Sequence, residues 1–346
     1  MNTRADIPSN VLNLADERGA AALHALMTDA SALMKRGLRC LGDDQVDGVA
    51  QALDCFDRAL DLRRRLPLDE VPVFRYDLAA CLLNRADALV RLGGGARIAA
   101  ALQAFDEAIA WLRSLPLDED ARYPRRLAIA YQNRGMALEA WTRVSDRVEG
   151  ERRVEGGSAV ASFAEAIDVL QRYGARVADR DYMLGAIWMN LANTRIAEAT
   201  DDARAAARDA ARQAIALVQR LETEDAAAAE VGLKARHVLC RALAVDGLVR
   251  AAAGAPVGDD VHEATDLVDE ALSLVRAWEQ REVTGFRLIA RDMFRFGAYV
   301  YARRQPQFFH EFVRDHLDPA RWPRAYLESP EIRSAVQDIQ RLDDRT

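Results

Sequence analysis

Lysine is nearly absent from this 346-residue chain: Lys35 and Lys234 stand alone, and every other basic side chain is arginine. That imbalance reads as an arginine-rich codon bias in the source genome, not as an arginine-built site. Cysteine is scarce too. Cys40, Cys55, Cys81 and Cys240 form no Cys-x-x-Cys unit, which leaves a disulfide framework and a zinc site without support. No run of about 18 apolar residues occurs, which excludes a spanning helix. Met1 to Asn10 lacks the apolar stretch of a signal peptide, so the expected location is a reducing cytoplasm. Positive charge is not in excess. The formal net charge is -7, which argues against nucleic acid or an anionic membrane as the main partner. Runs of β-branched residues and Asn-Gly turns are missing, which argues against strands. No Gly-rich loop follows a strand to cradle phosphate, and no Ser, Cys or Lys nucleophile has a recognisable partner.

What is abundant is alanine at helical spacing. A frame of Ala, a larger apolar residue four positions on, and Ala three further on occurs at Ala52-Phe56-Ala59, Ala101-Phe105-Ala108 and Ala159-Phe163-Ala166. Weaker forms follow at Ala207-Ala211-Ala214 and Ala264-Val268-Ala271. The frames start 48 to 58 residues apart, the mark of a repeat architecture. Positions three and four apart share one helix face, so each frame is one packing stripe. Residues 53–89 and 102–138 are a duplication, identical at about 16 of 37 positions. Each unit is therefore a helix pair: one helix carries the frame, and the next begins near Leu-Pro-Leu-Asp-Glu and carries an Asn.

The apolar periodicity predicts helices over 17–41, 46–66, 71–92, 97–115, 122–143, 158–173, 180–199, 202–222, 226–252, 260–280, 283–303, 306–317 and 331–342. Gly93-Gly94-Gly95 supplies positive φ at a helix end. Pro67 and Pro116 mark where frame helices stop, and Asp201-Asp202 and Asp259-Asp260 read as helix starts. Residues 145–157 read as a polar loop. The organisation expected is an N-terminal extension over 1–16, a repeat array over 17–303 and an aromatic-rich cap over 304–346.

The repeat unit resembles the tetratricopeptide repeat. Trp188-Met189-Asn190-Leu191-Ala192-Asn193 matches that family's first-helix motif, as do Asn84-Arg85-Ala86 with Leu89 and Gly93, and Tyr131 with Asn133-Arg134-Gly135 and Leu138. The match covers about residues 35–280. It departs in length, since the usual unit is near 34 residues. The resemblance implies an all-α fold, a right-handed superhelical solenoid of antiparallel helix pairs. It also implies a groove, lined by the Asn-bearing helices, that holds a protein or peptide segment.

Matching positions make Asn84, Asp87, Arg91, Gln132, Asn133, Met136, Asn190 and Asn193 the groove candidates, with Leu83, Glu139, Met189 and Ile196 beside them. An Asn amide both donates and accepts, which suits a peptide backbone. The same residues could instead cap or bridge helices within the stack. The family's clamp for acidic C-terminal tails is not expected, because Leu83 and Asp87 stand where it needs a base and a second Asn. The C-terminal candidates are Phe308, Phe309, Phe312 and Trp322, in a stretch that holds six of the ten Phe. They form either a cap over the last repeat or a docking surface for a partner or a second copy.

Enzyme signals are thin. Asp43-Asp44-Gln45-Val46-Asp47 resembles the magnesium-binding motif of isoprenoid synthases, and Asp259-Asp260-Val261-His262-Glu263 echoes it loosely. Both precede frame helices, where Asp is expected at a helix start. His310 and His316 lack the i, i+4 spacing of a helical zinc pair and read as surface residues. The groups Arg63-Arg64-Arg65, Arg125-Arg126 and Arg152-Arg153 read as solvated faces. No catalytic residue, metal or cofactor is expected. The expectation is a non-catalytic binding scaffold, adaptor or chaperone-like regulator. A peptide-sensing regulator and an Asp-rich magnesium enzyme are the alternatives.

Overall fold

The structure is a computed structural model that describes residues 17–42, 46–145, 158–252, 259–304 and 306–343. The Asp43-Asp44 motif, Arg152-Arg153 and most of the expected polar loop lie outside the described residues. Every element among those residues is helical, and consecutive helices pack pairwise. Two compact units divide at Arg180 and Asp181, inside the stretch read as one array.

The first unit contains α1 (Glu17–Gly42), α2 (Val46–Arg63), α3 (Pro72–Leu92), α4 (Gly95–Arg113), α5 (Arg122–Ser145) and α6 (Ala159–Tyr173), closed by a 3-10 turn at Gly174–Arg176. The three strong frames lie on α2, α4 and α6. Their Ala and Phe side chains are enclosed except for Ala159, which is half-buried at the start of α6: Ala52, Phe56, Ala59, Ala101, Ala108, Phe163 and Ala166 show no exposed surface and Phe105 only 1%. Two of the three rings fill a niche that a glycine leaves in the facing helix. A Cβ placed on Gly37 would sit 2.5 Å from the Phe56 ring, and one on Gly135 would sit 2.6 Å from the Phe163 ring. Gly at both positions therefore reflects close approach, not backbone freedom.

Polar contacts fix the direction of the neighbours. Arg63 on α2 pairs with Asp77 on α3 at 2.7 Å, and Cys81 Sγ bonds the Phe56 carbonyl at 3.3 Å. Further along, Arg85 meets Asp57 at 2.5 Å. Rising numbers on α3 meet falling numbers on α2, so the two run antiparallel. The Arg85–Asp57 bond recurs one unit later as Arg134–Asp106 at 2.7 Å, at the same sequence separation. Successive frame helices are also tied to each other. Arg64, just after α2, bonds Glu107 on α4, and Arg113 on α4 bonds Glu165 on α6. Of the grouped arginines, Arg63 and Arg64 are thus braces, not the solvated faces that composition suggests. The partners of Arg64 and Arg113 lie 43 and 52 residues away, beyond local patterning.

Helix ends follow the chemistry of their residues. Gly93 and Gly94 adopt φ of 65° and 86° between α3 and α4. Ser158 caps α6 by accepting from the Ala161 amide. Residues 64–66 do not continue α2 as a helix. The chain turns there before Pro67, which cannot extend the hydrogen-bond ladder.

The second unit contains most of α7 (Arg180–Ala197), then α8 (Asp201–Val218), α9 (Ala226–Ala252), α10 (Asp259–Glu279), α11 (Arg287–Arg304), α12 (Pro306–Leu317), α13 (Arg324–Leu327) and α14 (Pro330–Asp343). The four-residue α13 is too short to leave a periodic signal in the sequence. Thr200, not Asp201, caps α8 with its hydroxyl, leaving the two Asp in the first turn to favour the helix dipole. The weak frames are buried as well: Ala207, Ala211, Ala214, Val268 and Ala271 have no exposed surface. An Arg236–Glu222 pair, bidentate at 2.8 and 2.9 Å and almost wholly enclosed, joins α9 to the turn after α8. The carbonyl of the same Glu222 accepts from Trp278 Nε1 of α10 at 3.0 Å.

The close approach of α5 and α6 carries a stability prediction. Gly135→Ala gains about 1 kcal/mol of helix propensity, yet its Cβ would overlap Phe163. A net loss of about 1–3 kcal/mol in urea unfolding is expected. Adding Phe163→Leu should recover part of it, because the shorter side chain vacates the niche. Phe105→Ala should cost about 3–5 kcal/mol.

Candidate functional site

The Asn-bearing helices present a polar stripe in each unit. On α3, Asn84 and Asp87 are half-buried and Arg91 is exposed, one above the other at spacings of three and four. Arg91 Nε bonds Asp87 at 3.0 Å, so this part of the stripe is neutralised from within. On α5, Gln132 and Asn133 are half-buried and Met136 is 39% exposed. Asn84 and Asn133 stand at equivalent places in the duplicated segments, and among the described residues neither side-chain amide meets a hydrogen-bond partner. Each lies beside an arginine that braces the preceding frame helix, Arg85 and Arg134 respectively. The brace fixes the register of the helix and leaves the amide available. In the second unit, Asn190 is half-buried and Asn193 exposed on α7, and the Asn190 carbonyl accepts from the Thr194 hydroxyl at 3.0 Å.

The neighbours named with them divide differently. Leu83 is only 4% exposed and belongs to the core, because α3 packs on both sides and leaves little free surface at its centre. Met189 packs against Val218, Ala228 and Val231, and Ile196 against the main core of the second unit. Tyr131 is enclosed with its hydroxyl unbonded, and burial raises its pKa. The Arg113 guanidinium lies 5.4 Å from its ring centre.

The C-terminal aromatics form a nest. Phe309, Phe312 and Trp322 are 5%, 5% and 3% exposed, all within the core of the second unit. Trp322 stacks on Tyr326 at 4.1 Å, and Tyr301 on Phe312 at 4.6 Å. A Cβ on Gly297 of α11 would meet Phe312 at 2.5 Å, the same device as in the first unit. Phe308 alone of the four candidates faces outward, 47% exposed.

His316 is not a surface residue. Its Nδ1–H donates to the Phe312 carbonyl at 2.8 Å, and its ring sits among Phe294, Phe312 and Trp322. Phe312 lies one helix turn back and is visible in the sequence, whereas Phe294 and Trp322 reach the ring only when the chain folds. Burial lowers its pKa, and Arg276 and Arg321 add to this while the Phe312 carbonyl and Asp315 oppose it. His237 on α9 is lowered in the same way by burial, with Arg241 beside it and Asp292 opposing. Asp269 moves upward through burial, near Asp266, Asp315 and the Tyr301 hydroxyl, and Tyr301 is pushed up to about 12. Among the described residues no three His, Cys, Asp or Glu side chains gather closely enough to hold a metal ion, and no helix is long and apolar enough to cross a membrane. Cys55, Cys81 and Cys240 are buried as free thiols, and burial pushes Cys81 up to about 12.

A pH dependence follows from the two histidines. A folded pKa below the unfolded value of about 6.5 means that unfolding takes up protons. Their contribution to stability is complete above that value and is lost as pH falls from it toward the folded pKa. The thermal midpoint of the second unit should therefore drop between pH 7.5 and 5.5. The drop should be smaller in His316→Phe, and smaller again with His237→Gln added. Equal drops in all three proteins would refute the assignment.

The chain matches no protein-family model, and no curated protein matches it. Among solved structures, the crystal structure of BtubC (BKLC) from P. vanneervenii aligns with a TM-score of 0.48 and 15% sequence identity, over 86% of this chain and 91% of that chain. What these comparisons leave standing is an all-helical chain whose helices pack in consecutive pairs.

Proposed function

We propose that this chain is a non-catalytic protein-binding scaffold, a tetratricopeptide-like solenoid that holds an extended partner segment along the stripes of its Asn-bearing helices. One observation carries the reading: Asn84 and Asn133, at equivalent places in a duplicated unit, keep their amides without an internal partner among the described residues. Both amides are half-buried and unoccupied, so a ligand can bond them without displacing an internal partner. An incoming peptide backbone offers one acceptor and one donor at each step, which matches them. Met136 adds an adaptable apolar contact beside Asn133. Enzymatic roles draw no comparable support from the residues around these stripes. The C-terminal region offers Phe308 to a partner or second copy, while Phe309, Phe312 and Trp322 serve as the cap of the second unit. The free thiols fit a reducing cytoplasm.

Selection from a displayed random-peptide library tests the scaffold. The wild-type chain should enrich a recurrent sequence pattern. Asn84→Ala with Asn133→Ala should weaken the selected peptide at least about tenfold, a loss of about 1.4 kcal/mol or more, while circular dichroism and the melting temperature stay unchanged. Binding untouched by the double substitution would place the groove elsewhere. No enrichment at all would count against a peptide-binding scaffold.

A further inference from the structure

The first unit contains a cation that its own repeat logic leaves uncompensated. In the leading copy of the duplicated segment, Arg63 and Asp77 form a brace at 2.7 Å. In the next copy the corresponding residues are Leu112 and Arg126. The acid has become a base, and its former partner has become apolar. Arg126 has no carboxylate within salt-bridge distance among the described residues, and its Nε–H is buried without an acceptor. The guanidinium is nevertheless held in place, 4.7 Å from the centre of the Tyr76 ring. Arg122, one turn earlier on α5, lies 5.7 Å from the same ring.

The neighbouring arginines all have partners, which makes the exception clear. Arg122 bonds Asp120 at 2.6 Å, and Asp120 is shifted below the usual carboxylate range by that bond. Arg125 is paired with Asp179, also at 2.6 Å. Arg176 donates to the Asp118 carbonyl. Of these arginines only Arg126 has no hydrogen-bond partner among the described residues, and it is pre-oriented by an aromatic face.

We infer that Arg126, positioned on Tyr76, is a binding site for a single carboxylate carried on an acidic peptide segment. A planar carboxylate can take two parallel bonds from one guanidinium. A phosphate dianion suits the spot less well, since Arg126 offers one fork and Arg122 beside it on the same ring is already held by Asp120. Arg126 precedes Asn133 by seven residues on α5, about 10 Å along the axis and on the same face. An acidic side chain about three residues along an extended segment from the one at Asn133 would span that distance. This last step rests on the scaffold reading, whereas the carboxylate site itself does not.

The test observes the arginine Nε–H resonances of the full chain by NMR during titration with sodium acetate, with sodium chloride at equal ionic strength as control. A saturable shift of the Arg126 resonance, half-complete in about the 1–100 mM range, is expected with acetate and not with chloride. Tyr76→Leu, which removes the ring but not the charge, should weaken it severalfold. Equal shifts with chloride, no saturation, or an unchanged response in Tyr76→Leu would each overturn the site. A tighter response to inorganic phosphate than to acetate would overturn the carboxylate assignment. Loss of library-selected peptide binding with acetate binding intact would overturn the scaffold reading alone.

Discussion

The constraint on which the structure depends is the seating of one bulky side chain against a helix that has none at the point of contact. Phe56 on Gly37 and Phe163 on Gly135 bring paired helices closer than any residue with a Cβ would allow. Phe312 against Gly297 repeats the device in the second unit. Such contacts are specific in register. A shift of one residue turns each helix by about 100° and would put a ring against a side chain instead of a niche. Alanines above and below the ring extend the close approach over two turns, which is why the frame, and not hydrophobicity in general, recurs.

Once the pairs are set, electrostatics tie each to the next. Arg85–Asp57 and Arg134–Asp106 join a frame helix to the helix after it, Arg113–Glu165 joins one frame helix to another, and Arg64–Glu107 joins the turn after α2 to α4. Exposed pairs of this kind contribute about 0–1 kcal/mol each, so they do not hold the fold together against unfolding. Their value is orientational, since an arginine fork accepts a carboxylate in few geometries. The enclosed Arg236–Glu222 pair is different. Removing either member would strand a charge in the core, so it restricts how α9 can sit.

These two layers differ in how far the sequence exposes them. The Ala-Phe-Ala frames and the breaks at Gly93 and Pro67 are local patterns, and the helices follow them to within a few residues. The role of Arg63 could not be read locally, because Asp77 becomes its neighbour only after the chain reverses through Pro67. Phe308 and Phe309 adjoin in sequence and part in structure: successive positions on α12 point about 100° apart, and only Phe309 turns inward. For the candidate stripes, the sequence places Asn84 and Asn133 in register. Whether their amides are occupied depends on neighbouring helices, which no spacing reveals.

Departures from a repeat carry functional information as well as the repeat itself. The identical apolar positions across the duplicated segments serve packing that every unit needs. Asp77 and Arg126 occupy corresponding places and carry opposite charge, so they cannot serve the same internal purpose. Had Arg126 drifted only because its place was surplus, it would be expected to extend into solvent, since both long-chain entropy and hydration favour that. Instead it is half-buried on Tyr76 with its Nε–H unbonded. An ordered cation whose Nε–H is buried and unbonded costs stability that a group of opposite charge would offset, which makes a carboxylate the missing member of a brace that the preceding copy supplies from within.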